Sequence, residues 1–77
     1  MSELDRIRWH CRRGMLELDL VLNAFVERDY PTLDAEEARA FKELLEFQDQ
    51  ELYDLVMGRS EPPEGAVGAI LRRVQAS

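Results

Sequence analysis

Residues 15–28 read MLELDLVLNAFVER, and this stretch decides the fold. Leu18, Val21, Leu22, Phe25 and Val26 recur at the spacing of one face of an α-helix. Leu16, Leu20 and Ala24 carry apolar surface onto a second side, so Glu17, Asp19, Asn23 and Glu27 mark what stays polar. A helix apolar on most sides is expected at the centre of its bundle. It must end at Asp29-Tyr30-Pro31-Thr32, because Pro31 restricts Tyr30 and has no N–H for the helical ladder.

The flanks repeat the helical pattern in shorter pieces. Upstream, Leu4, Ile7 and Cys11 share one face, with Ser2 as N-cap and Asp5 as its capping-box-like partner. Arg12 and Arg13 are expected to close that helix, where cations favour the negative end of the dipole. Downstream, Asp34 caps a third helix with Glu37 three residues on, burying Ala38, Phe41, Leu44 and Leu45. Asp49 reads as the cap of a fourth, with Leu52, Leu55 and Val56 inward and Gly58 at its C′ position. Beyond the Pro- and Gly-rich link from Ser60 to Gly65, the stripe Val67, Ile70, Leu71 and Val74 marks a fifth. Its start is weak, since Gly65 and Gly68 each cost about 1 kcal/mol relative to alanine. No segment alternates with the period of a strand. The expectation is an all-α protein, a compact small bundle of five short helices, with residues 1–77 as a single domain.

Composition narrows the function. A chain of 77 residues buries only about 60% of its unfolded surface, which leaves little room for a deep substrate pocket. That favours a binding module over an enzyme. A hydrophobic fraction of 45% and a charged fraction of 34% are those of a folded chain. The net charge of −6 disfavours nucleic acid as a partner, although Arg6, Arg8, Arg12 and Arg13 cluster near the N-terminus. No apolar run approaches the roughly 20 residues of a membrane helix, so membrane insertion is not expected. Acidic residues stand at the N-terminus where a leader carries positive charge, and the expected location is cytoplasmic. The single cysteine, Cys11, forms no internal disulfide. His10 and Cys11 are adjacent and point about 100° apart on a helix, with no second His or Cys to complete a metal site or a nucleophilic pair.

Two features exceed the needs of a bundle. Trp9 lies off the Leu4/Ile7/Cys11 stripe, between Arg8 and His10. It either packs on the next helix or serves as an interface anchor, a role for which Trp and Arg are favoured. Gly14 separates two helical patterns with no other linker residue. Such a glycine makes a sharp corner with positive φ, or admits a partner's backbone, or both. Glu17 follows Arg13 at i+4, where it either pairs with the arginine or presents a carboxylate beside the corner.

The string Arg6-Ile7-Arg8-Trp9-His10-Cys11-Arg12-Arg13-Gly14-Met15-Leu16-Glu17-Leu18-Asp19 resembles the SdhE-type flavinylation factors, the succinate dehydrogenase assembly factors. Their signature Arg-Gly-x-x-Glu is matched by Arg13, Gly14 and Glu17. The Trp-x-Cys-Arg before it, the Leu-Asp after it, the Tyr30 turn and the run Leu44-Leu45-Glu46-x-x-Asp49-x-x-Leu52 fit as well. The resemblance spans about residues 3 to 75. It departs at Leu55, where a Trp can occur, and in the composition between Gly58 and Val67.

The resemblance implies a five-helix bundle that binds the flavoprotein subunit of succinate dehydrogenase, and of fumarate reductase. There it promotes covalent attachment of FAD, through the 8α-methyl group, to a histidine of that partner. The helper is not an enzyme, holds no cofactor stably and acts on FAD in the partner protein. The partner-binding residues expected are Arg13, Gly14 and Glu17, with Trp9, Met15, Arg8, Arg12 and Asp19 around them. Gly14 is expected to let a backbone approach, Arg13 to engage a carboxylate or carbonyl, and Glu17 to present an anion. The alternative is an antitoxin-like regulator of a toxin or cytoskeletal partner.

Overall fold

Helix ends in this chain form where their unpaired backbone groups find partners. The computed structural model describes residues 2–76, which form five α-helices: α1 (Glu3–His10), α2 (Leu16–Arg28), α3 (Ala35–Leu45), α4 (Asp49–Val56) and α5 (Gly65–Ala76). A 3-10 turn at Tyr30–Thr32 follows α2, where Pro31 interrupts the ladder. Ser2 caps α1, its hydroxyl accepting the Asp5 N–H at 3.1 Å. A full capping box opens α3: Asp34 accepts the Glu37 N–H at 2.8 Å, and Glu37 accepts the Asp34 N–H at 3.1 Å. At the end of α4 Gly58 adopts φ +77°. Its N–H reaches the Leu55 carbonyl at 3.2 Å, and the Arg59 N–H reaches the Asp54 carbonyl at 2.7 Å. This is the Schellman pattern, and it requires the left-handed residue that glycine supplies.

Three local expectations change. α1 stops at His10, so Arg12 and Arg13 lie beyond it rather than in its last turn. Gln48 takes the N-cap position of α4, and Asp49 is its first helical residue with no capping bond. Ala40, not Ala38, joins Phe41, Leu44 and Leu45 on the buried face of α3.

The core draws on every helix. Ile7 and Cys11 meet Leu18, Leu22, Phe25 and Val26 of α2, with Phe41, Leu44, Leu52, Ile70, Leu71 and Val74 completing it. Phe41 stacks at a tilt against Phe25 and Tyr30, with ring centroids 5.1 and 5.8 Å away. The most extensive helix pair is α3 with α5, which Arg73 and Glu37 bridge at 2.9 Å.

α2 is not enclosed as its composition suggests. Leu18, Leu22, Phe25 and Val26 are buried, yet Leu16 is 74% and Leu20 62% exposed, and Ala24 faces outward with them. The reason is geometric. Four short neighbours cover one side of this 13-residue helix, and a chain this small has no further element for the other.

α5 starts despite its glycines because Gly68 is needed for packing. A Cβ there would lie 2.0 Å from the Pro63 carbonyl oxygen. Gly68→Ala is therefore expected to destabilise the fold by about 1–3 kcal/mol. In a domain of this size each kcal/mol lowers Tm by roughly 4–8 °C. A thermal melt followed by circular dichroism checks this, and an unchanged Tm would show that the Pro62-Pro63 segment gives way instead.

Candidate functional site: the corner between α1 and α2

The chain turns sharply between Cys11 and Leu16. Gly14 sits at φ +73°, a conformation that costs other residues about 1–2 kcal/mol. The turn is pinned from within α2. The Asp19 carboxylate accepts the N–H of Arg13 at 2.8 Å and of Gly14 at 3.2 Å. α2 has no side-chain cap of its own at Met15, so Asp19 reaches back to the corner in its stead. A Cβ on Gly14 would meet nothing in this chain within 4 Å. The corner is thus open on its outer side.

Arg13 turns inward. Its side chain is 12% exposed. Nε donates to the His10 carbonyl at 3.0 Å, and Nη1 donates to the Phe47 carbonyl and to Asp49 Oδ1, each at 3.1 Å. Nη2 donates to the carbonyl of Leu45, the last residue of α3. That carbonyl has no acceptor role inside its own helix, and a cation there meets the negative end of the α3 dipole. The i+4 pairing of Arg13 with Glu17 does not form. Glu17 instead accepts from the Tyr53 hydroxyl at 3.4 Å, and the Arg59 guanidinium lies 5.5 Å over the Tyr53 ring.

The other residues singled out in the sequence divide by exposure. Trp9 is 68% exposed, which removes the reading that it packs on the next helix; Arg12 lies 5.6 Å over its ring. Arg8 is exposed and meets Glu27 of α2 at 3.9 Å. Met15 is half-buried against the core, and Gly14 and Glu17 are exposed. Among the described residues, the large apolar side chains left exposed are Trp9, Leu16 and Leu20, all within six positions of Gly14 in the chain. Sequence reasoning missed Leu16 and Leu20 as surface, and missed Tyr53 and Arg59 altogether. No local pattern signals Tyr53, since its link to Glu17 spans 36 positions.

Cys11 is fully buried, and burial pushes its thiol up to about 12, with Arg13 pulling it down and Asp19 pushing it up less strongly. A buried neutral thiol is a packing group, not a nucleophile. Among the described residues no three of His, Cys, Asp and Glu gather as a metal site. Among the described residues no helix is long and apolar enough to cross a membrane.

Three outcomes follow from this geometry. Cys11 should react with an aromatic disulfide reagent at neutral pH only on unfolding; fast reaction of the folded chain would contradict the burial. Because the folded thiol holds its proton above the unfolded value of 9.0, its contribution to stability is complete below pH 9 and is lost as pH rises toward 12. Gly14→Ala should lower stability by about 1–2 kcal/mol and still fold, since the strain is conformational and the space is free. A urea titration measures it, and complete unfolding would mean that the corner tolerates no other residue.

Comparison with known proteins places this corner in a family. Residues 5–77 match the family model described as flavinator of succinate dehydrogenase. The chain is 45% identical to the FAD assembly factor SdhE of Pseudomonas aeruginosa, over 95% of this chain and 87% of that protein. It is 40% identical to the FAD assembly factor SdhE of Methylococcus capsulatus, over 99% of this chain and 92% of that one. The same name and identity hold for a Haemophilus ducreyi protein, over 100% and 96% of the two chains. A match along nearly the whole chain, corner included, shows that this protein belongs to the flavinator of succinate dehydrogenase family, the FAD assembly factors.

Proposed function

We propose that this chain is a non-catalytic assembly factor that binds the flavoprotein subunit of succinate dehydrogenase and promotes covalent attachment of FAD to a histidine of that subunit. The observation that carries this reading is the surface around Gly14. Trp9 precedes it by five positions, Leu16, Glu17 and Leu20 follow it within six, and all four are exposed. Exposed large apolar side chains are the groups that interaction sites use. Here they flank the motif that the sequence shares with the flavinylation factors.

The division of labour proposed for the eight motif residues follows their exposure. Trp9, Arg8 and Arg12 offer an aromatic and two cations from the α1 side of the corner. Gly14 lets a partner's backbone come close, because nothing in this chain occupies the space over it. Glu17 presents an anion, and Met15 adds apolar surface from beneath. Leu16 and Leu20 extend the contact along α2. Arg13 and Asp19 hold the corner in shape.

The chemistry takes place in the partner. There a C–H bond of the FAD 8α-methyl group and a histidine N–H would give way to a C–N bond, with the two electrons released taken up by the flavin ring itself, and this chain supplies none of the bonded atoms. What a helper can contribute is arrangement. Holding reacting groups in place lowers a barrier by as much as about 7–11 kcal/mol. A rigid bundle that binds the competent form of the flavoprotein more tightly than other forms shifts the population toward it. Stable FAD binding by the helper is not needed for that.

In-gel flavin fluorescence of the denatured flavoprotein, from cells with and without this gene, tests the proposal. Covalent flavin should fall without the gene and return with the wild-type chain. It should not return fully with Glu17→Ala or Leu20→Glu, each checked for a wild-type melt. Unchanged covalent flavin in the deletion would sink the reading and bring forward the antitoxin-like alternative.

A further inference from the structure

We infer that α4 sets the geometry of the Arg-Gly-x-x-Glu motif: Asp49 takes its arginine and Tyr53, one turn later, takes its glutamate, which makes Arg13 a positioning residue and not a partner contact. The inference rests on the assembly-factor reading only for its functional consequence.

The two ends of the motif are four residues apart in the chain. On an uninterrupted helix they would face each other. Gly14, at φ +73°, breaks the helix between them, and the side chains leave in different directions. Both nevertheless arrive at α4. Arg13 Nη1 meets Asp49 Oδ1 at 3.1 Å, and Glu17 Oε2 meets the Tyr53 hydroxyl at 3.4 Å. Asp49 and Tyr53 are themselves four residues apart on a continuous helix, so they lie on one face. The face of α4 therefore holds the two ends of the motif at the separation of one helical turn.

The two contacts leave different groups available. Arg13 directs all three of its nitrogens at acceptors of this chain, and its side chain is 12% exposed. Four of its five N–H donors are used within this chain, which leaves it little to offer a partner. Glu17 is exposed, and a carboxylate has about four acceptor sites, of which Tyr53 uses one. The remainder points outward, oriented by the phenol. Tyr53 is held in turn by Arg59, stacked over its ring just beyond the Gly58 turn.

The test combines the isolated chain with its partner. Amide spectra of the 15N-labelled chain are recorded for Arg13→Ala, Asp49→Ala, Tyr53→Phe and the double variant Arg13→Ala/Asp49→Ala. Dissociation constants are measured for the purified flavoprotein subunit of succinate dehydrogenase at low and high salt. Asp49→Ala should shift the amides of Gly14 and Glu17, although it lies outside the motif. Asp49→Ala should weaken binding about fivefold, the worth of one net hydrogen bond, and Arg13→Ala, which removes four, should weaken it more. The double variant should bind no worse than Arg13→Ala, because Asp49 acts through Arg13. The salt dependence of binding should stay that of the wild type, and Arg13→Lys, which keeps the charge and loses the fork, should not rescue it. Tyr53→Phe should weaken binding in the wild type and have no effect on Glu17→Ala.

Multiplying losses, a flattened salt dependence in Arg13→Ala, or rescue by lysine would overturn the inference and put Arg13 at the interface. Unshifted amides in Asp49→Ala would overturn it as well. Should Arg13→Ala fail to fold, Asp49→Ala and Tyr53→Phe decide the matter alone. If the wild-type chain does not bind the flavoprotein, the assembly-factor reading fails, and the amide shifts still decide whether α4 governs the corner.

Discussion

The carbonyl of Leu45 is the last of α3, and its own helix has no N–H to give it. Arg13 supplies the donor from across the molecule, together with a positive charge at the negative end of that helix. The same guanidinium closes on Phe47 in the α3–α4 turn and on Asp49 at the start of α4. One side chain thus ties the end of the first helical segment to the junction of the third and fourth. The position of the corner, the direction of α2 and the surface shown by Glu17 all depend on that tie. Replacing it by an apolar contact would leave Leu45 and Phe47 without these donors, which is costly where the groups are sheltered from water.

The second constraint is Gly14. An arginine held in place on one side and an aspartate reaching back on the other leave the intervening residue little choice of backbone. The positive φ that results is stabilised by groups on both sides, so the bend is rigid. A rigid bend with open space above it is a suitable point for another protein's backbone to approach. Flexibility there would have to be lost on binding and would weaken the contact.

Much of this was legible in the sequence, and the boundary is physical. Helix existence rests on near-neighbour spacing, so the stripes at Leu4/Ile7, Leu18/Leu22 and Ile70/Leu71/Val74 revealed the helices. The Asp34–Glu37 box and the Gly58 turn are likewise local, and both appear as read. Asp49 was misread because an acid before an apolar run has the same local signature whether it caps its helix or salt-bridges a distant arginine. Leu16 and Leu20 were taken for core because periodicity reports how apolar a side is, not whether anything covers it. Three of the four partners of Arg13 lie 32 to 36 positions away, a range that no spacing rule reaches. The family resemblance drew attention to the corner, while the direction each motif side chain takes is visible only in three dimensions.

The bare apolar ridge of Leu16 and Leu20 has a colloidal side. Two copies of a chain that shows such a ridge attract each other through it. The acidic surplus of −6 opposes that encounter, because like-charged bodies repel before their ridges meet. The repulsion weakens as ions screen it, over a distance of about 8 Å at physiological ionic strength. The acidity therefore also serves as shelf life, keeping the free protein dispersed although its ridge is bare.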